Sequence, residues 1–444
     1  MKARTVIVTA FALIILFTIS GCSSSAEEPG TSFIDWNDRD HRAEQFVAAL
    51  VNEDYSVATD GFDAVMKKGL SADALKESWD EMIAEAGAFI SIAGTEIVPH
   101  DEYDIYEVIS QHENKRVNTR IVFSSDGLVA GLFFSFVDNP GEWDSAPVQK
   151  EGYTEIPVVI GEGSDYPLRG IISMPDNAPD KIPAVVLVHG SGPIDIDGTA
   201  FGITVFKDIA EHLAQNGIAV LRYDKRTYSY GAELSAQYGD NLTVREETID
   251  DAIAAKAILI QDGRIDENRV FVLGHSLGGM LTPRIVSEGG FAGGIILAGS
   301  PRSLLDIIYD QNIYFIGLMD TSDDERNALY KQVDEARETF FTLPEAYITE
   351  MDAHPAEGYL SETDKPFLIM QGSKDFQVLA DVDFALYQEY AQGRENIEFR
   401  LYKGLNHLFT DSTMENPTTD DYVPGSSVNL SPLSDIVEWV KRND

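Results

Sequence analysis

The chain has 444 residues, 44% of them hydrophobic and 10% aromatic, which is the composition of a globular protein with a large core and excludes a mostly disordered or fibrous chain. Asp and Glu number 74 against 33 Lys and Arg, and the net charge of −41 argues against nucleic acid as a partner, because such binding needs a basic surface that neutralises phosphates. The single cysteine excludes an intramolecular disulfide bond and a cysteine-rich zinc site.

The first residues have the pattern of an export signal. Lys2 and Arg4 form a short positive segment, and residues 5–19 are almost wholly apolar and carry no charge. This apolar run is shorter than the roughly 20 residues that span a bilayer, and it fits the hydrophobic part of a signal peptide. We therefore predict a signal peptide over residues 1–21.

The predicted signal ends at the only cysteine of the chain. The run Ile19-Ser20-Gly21-Cys22 resembles the lipobox of bacterial lipoproteins, which implies cleavage before Cys22 and lipidation of that residue. Two or more acyl chains hold a protein stably on a membrane. The resemblance thus predicts a lipid bilayer as a partner and a tether over residues 22–37. The remaining body is expected to be exported, anchored on the bacterial cell membrane and facing outside the cytoplasm.

Residues 38–140 combine a helical half with a strand half. Helical patterns come first, with Phe46, Val47 and Leu50 on one side of a helix and a predicted cap at Ser71. Segments of alternating apolar and polar residues follow and predict antiparallel strands, so we expect a small α+β domain. This part resembles the small domain of unassigned role that precedes some secreted bacterial hydrolases, which implies a curved sheet wrapped on helices.

From residue 150 to residue 444, apolar strand patterns alternate with helical ones. The run at 184–188 is continuously apolar, as expected for a strand buried on both faces of a sheet. The predicted strands are 153–160, 168–174, 184–188, 218–223, 270–273, 294–297, 366–370 and 397–401. The predicted helices are about 204–216, 243–261, a helix from 277, 381–391 and 434–441. Such alternation predicts a mostly parallel sheet covered on both faces.

The pattern most indicative of function follows the strand predicted at 270–273. Gly274-His275-Ser276-Leu277-Gly278 is a G-x-S-x-G sequence between a buried strand and a helix, which is the context of a nucleophile elbow. A serine on so sharp a turn has strained backbone angles, so its neighbours two residues away must be nearly free of side chains, as Gly274 and Gly278 are. We predict Ser276 as the nucleophile and expect His275 to point away and pack.

A serine nucleophile needs a base that removes its proton. In chains with this elbow, the acid and then the histidine follow the serine along the sequence. Of the eight histidines, only His354 and His407 come after Ser276. His407 lies in a loop just past the last predicted strand, whereas no predicted strand positions His354. We therefore predict His407 as the general base.

The acid should lie on a loop after a late strand and before the histidine. Asp375 follows the strand predicted at 366–370 and meets both conditions. Its role would be to hold the tautomer of the histidine and to stabilise the imidazolium ion. Asp381 and Asp383 fall in the next predicted helix, where we interpret them as capping or solvated carboxylates.

Two backbone N–H groups are expected to form an oxyanion hole. One belongs to Leu277, directly after the predicted nucleophile. The other is assigned to Ser191 in the glycine-rich loop after the strand at 184–188, with Gly190 and Gly192 as alternatives. His189 in the same loop is interpreted as bracing the loop, because it precedes the nucleophile in the chain.

Together these motifs resemble those of the α/β-hydrolase superfamily, specifically secreted serine esterases with a small N-terminal domain. The resemblance covers about residues 153–441 and includes Leu221-Arg222-Tyr223-Asp224-Lys225-Arg226, in which Asp224 and Arg226 are interpreted as structural ion-pairing residues. It implies an α/β-hydrolase fold. The long connection at about 301–363 has helical apolar spacing, and it is either a lid that borders an acyl or alcohol pocket or simply a set of extra packing helices.

The predicted function is hydrolysis of carboxylic esters of small molecules outside the cytoplasm, through Ser276, His407 and Asp375 and an acyl-enzyme. An acyltransferase, a thioesterase or a peptidase would use the same triad, and an inactive scaffold would only bind. No cofactor and no metal is expected. The run Asp195-Ile196-Asp197-Gly198 lacks the remaining ligands of a calcium loop, and the sequence has no zincin helix, Walker loop or dinucleotide fingerprint.

Overall fold

The computed structural model describes residues 34–36, 38, 41–63, 65–99, 103–124, 126–137, 146–176, 181–319, 321–336 and 345–443. The predicted signal peptide, Cys22 and most of the predicted tether lie outside these described residues. Contacts divide the chain into two units, one with the described residues up to 142 and Tyr230–Gln237, the other with Trp143–Ser229 and Tyr238–Asp444. Among the residues that the structure describes, no helix has the length and apolar composition that crossing a bilayer requires.

The first unit begins with helices whose apolar sides face one core. The helices are α1 (Arg42–Val51), α2 (Tyr55–Asp60), α3 (Met66–Gly69) and α4 (Ala72–Ala86). The predicted apolar side of α1 is confirmed, since Phe46, Val47 and Leu50 are fully buried. The predicted cap is confirmed as well, because Ser71 Oγ accepts a hydrogen bond from Ala74 N–H at 3.2 Å and so satisfies a free donor of the first turn.

The same unit continues as an antiparallel meander, as predicted. Its strands, in sheet order, are β1 (Phe89–Pro99), β2 (Tyr103–His112), β3 (Arg116–Ser124) and β4 (Val129–Val137). Alternate residues of β3, among them Val117, Ile121 and Phe123, are buried in the core beneath the helices. The other face of the sheet leaves Phe133 more than half exposed. The expected small α+β unit is therefore present.

The second unit is built on a nine-stranded sheet. Its strands in chain order are β5 (Val148–Gln149), β6 (Tyr153–Ile160), β7 (Leu168–Pro175), β8 (Ile182–Val188), β11 (Ala219–Tyr223), β12 (Ile265–His275), β13 (Gly294–Leu297), β14 (Phe367–Gly372) and β15 (Ile397–Tyr402), while β9 (Thr199–Ala200) and β10 (Ile203–Thr204) form a separate hairpin. The order across the sheet is β15-β14-β13-β12-β8-β11-β7-β6-β5. From β11 to β15 neighbouring strands are parallel, and β5, β6 and β7 form an antiparallel edge.

Helices connect these strands, although Tyr230–Gln237 of one of them belongs by its contacts to the first unit. They are α5 (Val205–Gln215), α6 (Arg226–Tyr238), α7 (Asp250–Leu259), α8 (Leu277–Gly289), α9 (Leu304–Leu318), α10 (Asp323–Ala336), α11 (Glu345–Asp352), α12 (Ala356–Glu362), α13 (Ala385–Tyr390) and α14 (Leu430–Arg442). Single π-helical turns precede α7 at Arg245–Ile249 and α13 at Ala380–Phe384. The predicted α/β class with a mostly parallel sheet is thus confirmed.

The centre of the sheet follows from its sequence. All seven residues of β8 are buried, because this strand lies between two parallel neighbours, β11 and β12, in the middle of the sheet. Helix α6 was not predicted, since Arg226–Tyr238 is polar and its backbone departs from helical angles at Tyr230 (φ −140°, ψ 31°). The local pattern therefore identifies the buried strands better than it identifies this polar helix.

Four helices, α9 to α12, are inserted between β13 and β14, where the sequence predicts a helical insertion. The predicted apolar side of α9 is real, since Leu304, Ile307 and Ile308 are buried. Its first turn is capped by Ser303 Oγ, which accepts a hydrogen bond from Asp306 N–H at 3.2 Å. The insertion therefore has a packed base rather than being a loose loop.

Candidate active site

A sharp turn connects the end of β12 to the start of α8. Ser276 occupies this turn with φ 55° and ψ −117°, backbone angles that a residue with a side chain adopts only under strain. Its N–H donates to Leu297 O at 2.9 Å, and its carbonyl accepts the hydrogen bond of Met280 N–H at 3.0 Å in the first turn of α8. Ser276 is half-buried, so it is not sealed in the core. The strand, turn and helix are those that the motif predicts.

The two glycines of the motif are required by close backbone contacts. A Cβ atom at Gly274 would lie 2.1 Å from Gly278 O, and one at Gly278 would lie 2.3 Å from Val188 O. Real Cβ atoms do not approach so closely, and neither neighbour is a flexible side chain that can move aside. The turn therefore depends on both glycines, for the steric reason that the sequence suggests.

The predicted acid and base are brought together by the loops after β14 and β15. His407 Nδ1 lies 2.7 Å from Asp375 Oδ2, and both side chains are buried. Three further donors hold the carboxylate: Gln371 Nε2 at 2.8 Å, Gln377 N–H at 2.8 Å and Val378 N–H at 3.0 Å. Because the acid engages Nδ1, the Nε2 atom of the imidazole is left for a reacting group.

The imidazole and the serine hydroxyl are not hydrogen-bonded to each other within the described residues. Such bonds are often long without substrate and tighten in the reacting complex. The contact that joins their two loops is made instead by His275, whose Nε2–H donates to His407 O at 3.0 Å. The His275 and His407 ring centroids are 4.8 Å apart.

This contact corrects the expectation that His275 only packs away from the site. Burial and the nearby His407 ring lower the pKa of His275 to about 3, so the ring is neutral at neutral pH. A neutral ring that donates from Nε2 to a carbonyl carries its proton on that nitrogen. His275 thus ties the turn at Ser276 to the loop of His407.

The other candidate residues lie apart from this pair. His354 Nδ1 is 2.7 Å from Tyr359 Oη in the helical insertion. Asp381 is exposed, as the interpretation of a solvated carboxylate expects. Asp383 is not solvated, because its carboxylate is fully buried, lies 2.7 Å from Arg302 Nε and accepts a hydrogen bond from Ser300 Oγ at 2.6 Å. The capping alternative holds for it, since Asp383 Oδ2 also accepts a hydrogen bond at 2.7 Å from the N–H of Leu379, the residue that precedes the turn Ala380–Phe384. Ser300 and Arg302 are distant from Asp383 in sequence, which is why the local pattern did not reveal these two partners.

The glycine-rich loop after β8 approaches the serine. A Cβ atom at Gly190 would lie 3.2 Å from Ser276 Cβ, which shows how close the two backbones are. Within the described part of the chain, no group accepts a hydrogen bond from Ser191 N–H or from Leu277 N–H. Both predicted donors are therefore free to bind a substrate oxygen.

His189 braces this loop, as predicted. Its Nε2 donates to Asp195 O at 3.1 Å, and the ring is buried. Burial, with a smaller contribution from the charge of Lys225, lowers the pKa of His189 to about 3. A ring that stays neutral and engages a loop carbonyl is suited to holding the loop in place.

Ion pairs hold the segment after β11. Asp224 Oδ2 lies 2.6 Å from Arg169 Nε, and Arg226 pairs with Asp251, which confirms the structural role predicted for Asp224 and Arg226. Lys225, which lies between them, has no role that the sequence pattern indicates. Lys225 is buried, and its Nζ donates to Gly190 O at 2.8 Å. Its burial could not be inferred from a run of charged residues.

The acidic residues of the glycine-rich loop are used within the protein. Asp195 accepts hydrogen bonds from Thr199 N–H at 2.9 Å and from Thr199 Oγ1 at 2.7 Å, and Asp197 lies 3.0 Å from Arg222 Nε. Among the described ranges, no three His, Cys, Asp or Glu side chains are grouped so that they could hold a metal ion.

Two family models match the chain. Residues 43–132 match a protein family of unknown function (DUF3887), and residues 205–421 match the prolyl oligopeptidase family. Among curated proteins, esterase EstD of Thermotoga maritima is 32% identical over 408 residues, which cover 91% of this chain and 95% of EstD.

Among solved structures, the chain is similar to the Pyrococcus furiosus esterase Pf2001, with 18% identity and a TM-score of 0.41 over 68% of this chain and 97% of that one. It is also similar to Est1E of Butyrivibrio proteoclasticus, solved with ferulic acid bound. That match has 15% identity and a TM-score of 0.41, and it covers 64% of this chain and 96% of Est1E.

Proposed function

This chain belongs to the esterases of the α/β-hydrolase superfamily and is a carboxylic ester hydrolase, and we propose that it works through an acyl-enzyme formed on Ser276. The observation that carries the proposal is the buried pair of Asp375 and His407, 2.7 Å apart, whose loop is tied by His275 to the turn that holds Ser276. The substrate is a small-molecule ester.

In the proposed reaction, Ser276 Oγ attacks the ester carbonyl carbon as its proton passes to His407 Nε2. The N–H groups of Leu277 and Ser191 donate to the carbonyl oxygen as it becomes negative, an interaction worth about 2.7–4 kcal/mol for one donor in comparable enzymes. Asp375 keeps His407 in the tautomer with Nδ1–H and stabilises the imidazolium. The ester C–O bond then breaks, and the alcohol leaves with the proton from Nε2.

The second half of the reaction returns the enzyme to its starting state. A water molecule gives a proton to His407 Nε2 and attacks the acyl carbon. The bond from that carbon to Ser276 Oγ breaks, Oγ regains a proton from Nε2, and the carboxylic acid departs. Atoms and charges balance without any cofactor.

The test is the variant Ser276→Ala, with Ser287→Ala as its control. Ser287 is exposed on the same helix, α8, so its variant reports any effect of changing a serine there. We expect Ser276→Ala to lose about 10⁶ in kcat for p-nitrophenyl acetate and to escape labelling by a fluorophosphonate probe. Ser287→Ala should keep the wild-type kcat and should still be labelled by the probe. Near-full activity of Ser276→Ala would rule out the mechanism.

A peptidase is the second candidate, and the match of residues 205–421 to the prolyl oligopeptidase family favours it. A panel of p-nitrophenyl esters, thioesters and peptide amides would rank the peptidase, thioesterase and acyltransferase alternatives, the last by adding an acceptor alcohol. Labelling of Ser276 by the fluorophosphonate would exclude an inactive scaffold. We expect the esters to have the highest kcat/KM.

We further propose that the protein is exported and anchored to the cell membrane by lipid on Cys22. The support is the sequence alone: a positive start, an apolar run at residues 5–19 and the lipobox-like ending at Cys22. The variant Cys22→Ala should move the protein from the membrane fraction to the soluble fraction, while Ser24→Ala should leave it on the membrane. Equal distribution of the two variants would refute the anchor.

A further inference from the structure

Lys225 is a buried cation that the proposed mechanism does not use. Its Nζ donates to Gly190 O at 2.8 Å and lies 3.0 Å from Glu247 Oε1. The lysine and the glutamate are both buried, and taking an unpaired ammonium out of water costs several kcal/mol. The glutamate compensates that charge, so the lysine can keep its other partner, the carbonyl of Gly190, at hydrogen-bond distance.

The carbonyl that Lys225 holds belongs to the same peptide group as the N–H of Ser191. A trans peptide is planar, and its C=O and N–H point in opposite directions. Fixing Gly190 O therefore fixes the direction of Ser191 N–H, on the side away from the lysine. Glycine has the widest range of backbone angles of any residue. The peptide group between Gly190 and Ser191 therefore needs a restraint such as the hydrogen bond from Lys225. The backbone of Gly190 lies against Ser276, where the reaction would occur.

We propose that Lys225 is a positioning residue for the oxyanion hole, which orients the Ser191 N–H toward the carbonyl oxygen of the ester through the Gly190 carbonyl. The proposal rests on the proposed function, because it assigns a task within the same site. It explains why a lysine, rather than an apolar residue, fills this buried position at the end of β11.

A second contact extends the arrangement to the helical insertion. Glu247 Oε2 accepts a hydrogen bond from the Tyr347 hydroxyl of α11. Burial and the nearby Glu247 carboxylate raise the pKa of Tyr347, so the hydroxyl keeps its proton and remains a donor. Tyr347, Glu247, Lys225 and Gly190 thus form one chain of contacts from the insertion to the oxyanion loop. A movement of helix α11 would be transmitted through these contacts to the peptide group that carries Ser191 N–H.

The test compares Lys225→Met with Lys256→Met. The methionine keeps most of the volume of the lysine but cannot donate, and the control removes another lysine that donates to a glycine carbonyl, Gly289 O at 2.9 Å, at the opposite end of α8 from Ser276. For Lys225→Met we expect kcat for p-nitrophenyl esters to fall about 10- to 100-fold with KM nearly unchanged. The Ki of a trifluoromethyl ketone, which forms a tetrahedral oxyanion on the serine, should rise by the same factor as kcat/KM falls. Lys256→Met should change neither the kinetic constants nor the Ki.

Lys225→Arg provides a second variant in case the methionine protein does not fold. It keeps a cation beside Glu247, but the bulkier guanidinium cannot take the place of Nζ at Gly190 O, so we expect a loss of about tenfold or more in kcat. If the wild-type protein is active and these variants keep its kcat and its Ki, Lys225 has no positioning role. If the wild-type protein hydrolyses no ester and Ser276 is not labelled, the proposed function fails first and this inference with it.

Discussion

His275 Nε2–H donates to the backbone carbonyl of His407 across 3.0 Å. This bond joins the residue before the proposed nucleophile to the proposed base, which lies 132 residues later in the chain. The position of the imidazole is therefore set from two sides. Asp375 holds Nδ1 of the ring, and His275 holds the main chain that carries it.

This bond predicts different results for two substitutions of His275. His275→Phe leaves the buried His407 carbonyl without a donor, which should lower the free energy of unfolding by about 1–3 kcal/mol. It should also lower kcat, by about 10- to 100-fold, because a loosened base is misplaced. His275→Gln keeps an N–H donor, so its free energy of unfolding and its kcat should both fall less. Chemical denaturation and ester kinetics would check the pair, and equal effects of Phe and Gln would contradict a role for the hydrogen bond.

Removing the charge of the acid should disable the base. Asp375→Asn can donate to His407 Nδ1 and so favours the wrong tautomer, which should lower kcat by about 10⁴. Asp381→Asn, six residues later and exposed, is the matched control and should retain the wild-type kcat. The measurement is steady-state hydrolysis of p-nitrophenyl acetate. A similar kcat for the two variants would show that Asp375 is not the acid.

The elbow should not tolerate a methyl group at its first glycine. In Gly274→Ala, the new Cβ would overlap the carbonyl oxygen of Gly278, so we expect the free energy of unfolding to fall by about 1–3 kcal/mol or more and esterase activity to be lost. Gly263→Ala is the control, since nothing lies within 4 Å of the Cβ position there. Thermal unfolding and activity assays would compare them. Full activity of Gly274→Ala would refute the steric argument.

Two buried histidines should make the fold sensitive to acid. The pKa values of His189 and His275 are each lowered to about 3, whereas an unfolded histidine has a pKa near 6.5. Between these values the unfolded chain binds more protons than the folded one, so the free energy of unfolding decreases as the pH falls. The loss should reach about 2 kcal/mol for each histidine by pH 5.

Urea unfolding at pH 7 and pH 5 would measure this loss. His275→Gln has no group that titrates at this position, so its free energy of unfolding should drop by about 2 kcal/mol less than that of the wild type between the two pH values. If the variant and the wild type lose the same amount, the neutral state of His275 does not govern the acid sensitivity.

One of the two interpretations of the helical insertion, a lid that borders an acyl or alcohol pocket, predicts that the insertion influences which acyl chains are accepted. The Phe315 ring of α9 lies 5.5 Å from the ring of Phe376, the residue after the proposed acid. Phe315→Ala opens space there and should move the kcat/KM profile toward longer p-nitrophenyl esters. Leu318→Ala, at an exposed position of the same helix, should leave the profile unchanged. An unaltered profile for Phe315→Ala would mean that α9 only packs.

Much of the fold could be predicted because its signals are local. A run such as 184–188 is apolar throughout because β8 is buried on both faces, and Ser276 lies between glycines because backbone crowds the turn. The pairing of Asp375 with His407 was predictable from order and position, since the ends of neighbouring parallel strands meet at one edge of a sheet. Helix α6 could not be predicted, because its polar sequence has no apolar stripe.

By itself, the sequence determined the class of fold and the serine turn, and it predicted the pairing of Asp375 with His407, because each depends on residue type, spacing or order along the chain. Only the tertiary structure decided the partners of His275, Lys225 and Asp383, which are brought from distant segments into the protein interior. From a sequence alone, a charged or polar side chain is expected to be exposed to solvent. Only the packing shows that it is buried and which partner compensates its charge or its hydrogen-bonding groups. The positioning of the proposed site depends on such contacts between segments, and no local pattern encodes them.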